Sequence, residues 1–147
     1  MPTTYAQFAS QLGIKAGAER IAWTHSNAVL IVAWCVAEGS PASCNPLDDT
    51  QVMPGSWPLK GNSANVQNYT TLDEAMEAYL RTLEGPDYGY PAIAEQLKAG
   101  TCACTGAEAI ANSEWGTWFH NPKAAVATVV KVNANYSAYA RIPIPGS

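Results

Sequence analysis

The apolar positions of this chain fall into blocks separated by polar, turn-rich stretches, and the spacing within each block predicts helix. Tyr5, Phe8 and Leu12 share one helical face after the capping candidates Thr3 and Thr4, with Gly13 as a stop. From Ser26 or Asn27 the run AVLIVAWCVAEG is apolar on every face, which suits a helix buried at the centre of a domain and closed by Gly39. Glu38 is the only charge on that element.

Between Ser40 and Thr70 neither a 3.6-residue nor a 2-residue period persists, and four of the ten prolines lie there. A long loop region containing at most a small hairpin is expected. Order returns where Thr71 and Glu74 form a capping box ahead of Leu72, Ala75, Met76, Tyr79, Leu80 and Leu83. Three shorter helices follow: Pro91 to Lys98 closed by Gly100, Thr105 to Ala111 opened by Thr105 and Glu108, and Pro122 to Asn133 capped by Asn121. The pattern predicts a mainly α (α+β) domain over residues 1–140, followed by a Pro-rich linker or tail over 141–147.

A length of 147 residues fits one domain with a real core. Apolar residues at 48% and charged residues at 14% exclude a disordered chain, and Ala28 to Ala37 is too short an apolar run to span a bilayer. A net charge of -4 argues against a nucleic-acid backbone or an anionic membrane as partner and leaves a neutral polymer as the better fit. No secretory signal is visible at the N-terminus, so either export takes another route or a signal was removed.

Cys35, Cys44, Cys102 and Cys104 are read as free thiols. His25 and His120 give no metal-ligand spacing with Cys102 and Cys104, so no metal and no cofactor are expected. Cys35 lies deep in an apolar helix, where a cysteine-peptidase thiolate has no activating surroundings.

The chemistry points to Glu38. Burial opposes ionisation of a carboxyl, and so does the negative end of a helix dipole, which predicts a raised pKa and a proton available for a glycosidic oxygen. The stretch after it carries Asn45, Asp48, Asp49, Thr50 and Gln51, then Trp57 and Tyr69. Amides and carboxylates bind sugar hydroxyls, and aromatic rings stack on the C–H faces of sugars. Trp115 is balanced between a core anchor and a sugar platform, whereas Trp34 reads as core.

The segment Ala33-Trp34-Cys35-Val36-Ala37-Glu38-Gly39, then Asn45-Pro46-Leu47 and Gln67-Asn68-Tyr69, resembles lysozyme-like domains of actinobacteriophage lysins and tail proteins. Ala78 to Leu83, Tyr90 with Ile93 and Leu97, and Ser113-Glu114-Trp115-Gly116-Thr117 extend the resemblance over roughly residues 5 to 120. It implies a lysozyme-superfamily fold in which Glu38 closes the central helix and a small hairpin lobe forms the opposite wall of a cleft. The implied activity is cleavage of peptidoglycan between N-acetylmuramic acid and N-acetylglucosamine, with hydrolysis ahead of transglycosylation. The implied setting is a phage protein, acting as a monomer or as one module of a longer chain, that reaches the wall from the host cytoplasm or from the virion tail.

Asp49 departs from the family pattern, which has threonine there, and supplies a second carboxylate. If Asp48 or Asp49 faces Glu38 at about 5 Å, a retaining mechanism is open, whereas a gap of roughly 6.5 to 9.5 Å leaves room for an attacking water. A third route uses Glu38 alone, with water positioned by Thr50 or Gln51 or with the sugar's own 6-hydroxyl as nucleophile. The rival of another class is a non-catalytic wall-binding or structural tail module.

Overall fold

In the computed structural model, which describes residues 1–85, 90–116 and 121–147, the chain is mainly helical with one small two-stranded sheet. Helix α1 spans Tyr5–Ala16 and α2 spans His25–Glu38. Strands β1 (Trp57–Pro58) and β2 (Gln67–Asn68) pair antiparallel, Trp57 opposite Asn68. Then follow α3 (Leu72–Glu84), α4 (Pro91–Ala99), α5 (Ala103–Ala111), a 3-10 turn at Glu114–Gly116, α6 (Pro122–Ala134) and α7 (Tyr136–Ala140). Thr117 and His120 lie outside the described residues.

Helix α2 occupies the centre, packed by α1, α5, α6 and α7, as its all-round apolar sequence requires. Gly106 lets α5 approach closely, since a Cβ there would run into the Leu30 side chain. Gly39 ends α2 in the left-handed conformation at φ 52°, and its N–H closes on the Cys35 carbonyl. That stop sets Glu38 at the last helical position.

Several boundaries differ from the sequence expectation for local reasons. Helix α1 runs through Gly13 to a stop at Gly17, whose N–H closes on the Gly13 carbonyl at 2.9 Å; the Trp23 indole lies against Gly13 and donates to the same carbonyl at 3.1 Å. Helix α2 starts earlier, with Thr24 as its cap accepting from the Asn27 N–H. Helix α5 starts at Ala103, and Thr105 does not cap it: its hydroxyl donates to the Cys102 carbonyl and to Gln96 Oε1. Glu74 turns back to the Thr70 N–H instead of completing a box with Thr71.

Residues 141–147, expected as a linker, pack onto the fold. Pro143 bridges Thr4, the Ile144 N–H donates to the Thr3 carbonyl at 2.8 Å, and the Cys44 N–H donates to the Pro145 carbonyl at 2.8 Å. Ile144, 1% exposed, belongs to the core. Alternating prolines are stiff and extended whether they span solvent or lie along a surface, so local pattern alone does not separate the two.

Candidate functional site

The irregular segment after α2 is built around Asn45, which is fully buried. Its amide donates to the carbonyls of Asp49 (2.9 Å) and Gln67 (2.6 Å), and its oxygen accepts from the Asp49 N–H (3.0 Å) and the Tyr79 hydroxyl (2.7 Å). A buried loop has no helix or sheet ladder to satisfy its backbone, and Asn45 supplies the missing partners. The hairpin is tied to the same turn, since the Gln67 N–H reaches the Asp49 carbonyl and the Ser43 N–H reaches Asn68 Oδ1.

Between the end of α2, the hairpin lobe and α3 runs a groove formed by two adjoining hollows of about 930 and 840 Å³. Asp49, Thr50, Thr82, Tyr90 and Glu114 border both. Glu38 and Asp48 lie in the larger one, walled on the hairpin side by Leu59, Asn62, Ala64 and Val66. Gln51 borders the smaller.

Glu38 is 6% exposed, and its pKa is pushed up to about 9. Burial is the main cause, followed by the charge of Asp48 and a hydrogen bond with the Asp48 carboxyl, while the Trp34 indole N–H one turn earlier acts in the opposite sense. Glu38 is therefore a carboxylic acid at neutral pH. Asp48 sits in the left-handed region at φ 54°, a conformation Asp tolerates better than most residues.

Asp49 serves differently. Buried at 3% exposure, it accepts from the Gln51 N–H at 2.9 Å and from the Thr82 hydroxyl at 2.8 Å. Burial raises its pKa to about 6, against the opposing hydrogen bonds from the Gln51 N–H, the Thr82 hydroxyl and the Thr50 N–H. Its interactions are with the loop and α3, and Asp48 is the carboxylate that meets Glu38.

Glu38, Asp48, Asp49, Thr50 and Trp115 thus come together at the groove, and Gln51 sits beside them. Three residues expected at the substrate do not. Asn45 is consumed by the loop backbone, and Tyr69 is a fully buried core ring whose hydroxyl donates to the Gln51 carbonyl at 2.7 Å. Trp57, 47% exposed on β1, is not part of the groove wall.

Trp115 is chiefly an anchor. Its indole N–H donates to the Leu47 carbonyl at 2.9 Å, and its ring lies edge-on to Trp34 at 4.8 Å. Sequence reasoning missed Thr82, Tyr90, Glu114 and the hairpin wall. Thr82 carried a signal, because it interrupts the buried stripe of α3 four residues after Ala78 and three after Tyr79. All four cysteines are free thiols. Among the described residues no three His, Cys, Asp or Glu side chains converge as a metal ion needs, and no helix is long and apolar enough to cross a membrane.

Comparisons with protein-family models, characterised proteins and solved structures return no match for this chain, so the site is read from its own chemistry.

Proposed function

We propose that this chain is a lysozyme-like glycosidase that cleaves peptidoglycan strands between N-acetylmuramic acid and N-acetylglucosamine, with Glu38 as general acid, in phage-driven lysis or wall penetration. The observation that carries this is a buried carboxyl, its pKa raised by burial and by Asp48, lining an open groove. Most of the ionisable groups bordering the groove are acidic, including Glu38, Asp48, Asp49 and Glu114, with Arg81 opposing them at one end, which suits a ligand without strong negative charge.

In the proposed reaction Glu38 transfers its proton to the glycosidic oxygen as the C1–O bond breaks. Water then adds to C1, and its proton returns to Glu38. Asp48 acts on Glu38, since a second carboxylate close by disfavours ionisation of Glu38 and keeps its proton in place until the leaving oxygen takes it. Asp49 is engaged by Thr82 and Gln51, and Asp48 lies beside Glu38, where it opposes loss of the Glu38 proton. That favours a water placed near Thr50, or the sugar's 6-hydroxyl, and keeps lytic transglycosylation as the second reading.

The test is digestion of purified actinobacterial peptidoglycan by wild type and Glu38→Gln, with products identified by mass spectrometry. Saccharide fragments from wild type alone are expected, reducing ends marking hydrolysis and anhydro ends transglycosylation. No fragments from either protein while both bind the wall refutes the glycosidase and leaves a wall-binding or structural module.

A further inference from the structure

At the opposite end of α2 from Glu38 stands an indole that is exposed and yet held still. Trp23 is 70% exposed, but its N–H is fixed to the Gly13 carbonyl at 3.1 Å. The backbone on both sides is pinned as well. The Ala22 N–H donates to the Leu97 carbonyl at 3.0 Å, and the Thr24 hydroxyl donates to the Gly100 carbonyl at 2.7 Å. The buried Asn27 amide bonds the carbonyls of both Ala22 (2.9 Å) and Leu97 (2.7 Å). Gly100 makes this junction possible: at φ +62°, a Cβ there would meet Ala22 Cβ at 2.8 Å and Thr24 Oγ1 at 2.9 Å.

The indole borders a hollow of about 680 Å³ between α1, α2 and α7. Its apolar lining includes Ala9 and Ile31, and Ser10, His25 and Tyr136 add polar groups that no described residue engages through a side-chain hydrogen bond. The His25 and Tyr136 rings meet edge-on at 5.2 Å. No Asp, Glu, Lys or Arg lines the hollow.

We infer that this hollow is a second carbohydrate-binding site, taking a neutral N-acetylated amino sugar whose ring stacks on Trp23. The lining carries no carboxylate to balance an ammonium and no lysine or arginine to balance a phosphate, which suits a neutral ligand. A pinned aromatic face matches the C–H face of a pyranose and loses little entropy on binding. Ser10, His25 and Tyr136 are within the lining to meet hydroxyl groups, and the apolar floor accepts the methyl of an acetamido group.

The fourteen residues of α2 separate this hollow from Glu38 by about 20 Å along one rigid helix. Two sites so placed on a polymeric substrate raise retention on an insoluble wall without a new contact at the groove. The choice of amino sugar rests on the glycan reading of the groove, whereas the site itself does not.

The experiment uses Glu38→Gln protein labelled at tryptophan nitrogen, with the Trp23 indole signal assigned from Trp23→Phe. Titration with a soluble N-acetylglucosamine tetramer is expected to move that signal, and a glucose tetramer is expected to leave it in place. Trp23→Ala in the same background is expected to weaken sedimentation with insoluble peptidoglycan about tenfold. A Trp23 signal unmoved at millimolar N-acetylglucosamine tetramer overturns the inference, and so does an equal response to the glucose tetramer. The spectrum of the protein with Trp23 intact decides the matter even if the alanine variant folds poorly. The two proposals fail separately: wild type that releases no fragments while Trp23 responds to the amino sugar loses the glycosidase and keeps the second site, and the reverse result does the opposite.

Discussion

Replacing Glu38 by glutamine should make the protein more resistant to alkaline pH, because the same proton that suits Glu38 for catalysis makes folding depend on pH. A carboxyl raised from 4.5 to about 9 takes up a proton on folding anywhere between those values. Its contribution to stability is complete below pH 4.5 and is lost as pH rises through about 9. One proton corresponds to about 1.4 kcal/mol per pH unit. The slope tapers at the upper pKa, so wild type should lose about 2 kcal/mol between pH 7 and pH 9 that the glutamine variant keeps. Glu38 is 6% exposed, so solvent screens little of this. Asp49, raised to about 6, completes its own loss below that range and cancels in the comparison.

Urea unfolding of both proteins at the two pH values measures the difference. With a slope of about 2 kcal/mol per molar urea, the wild-type midpoint should fall about 1 M further than that of Glu38→Gln. Equal falls would mean that Glu38 is ionised in the folded protein at neutral pH, and the general-acid assignment would go with it.

Asp48→Asn removes the charge that helps hold the Glu38 proton while keeping a residue that tolerates φ 54°, so the alkaline limb of muropeptide release should move to lower pH; an unmoved limb would show that burial alone sets the value. Asn45→Ala deletes four buried hydrogen bonds and should cost about 3–4 kcal/mol, seen as a melting point lower by roughly 10 °C, whereas a sugar contact at this position would change affinity and leave melting intact. Ile144→Ala should cost about 2–4 kcal/mol in urea unfolding, against under about 0.5 kcal/mol for a residue in a solvated linker.

The helices were legible because their information is local. The apolar stripe of α3, the cap at Thr71, the all-round apolar α2 and its stop at Gly39 each follow from residues a few positions apart. The raised pKa of Glu38 was legible for the same reason: a lone carboxyl at the end of a buried helix has few neighbours that can leave it ionised. The five-residue α7 and the early start of α5 carry no side-chain cap hydrogen bond and no strong period, and both escaped notice.

What the polar residues after Glu38 do was decided by tertiary structure. Asn, Asp and Tyr in a turn-rich segment look the same whether they bind a sugar or satisfy a buried backbone, and here the loop claimed Asn45, Tyr69 and much of Asp49. Of two adjacent aspartates, Asp48 acts on Glu38, and α3 received Asp49 through Thr82. The far wall of the groove comes from a hairpin and from Tyr90 and Glu114, all distant in sequence from α2. Periodicity and capping act over a few residues and can be read along a chain. Which polar group meets which depends on contacts between distant segments, and only the folded packing brings those together.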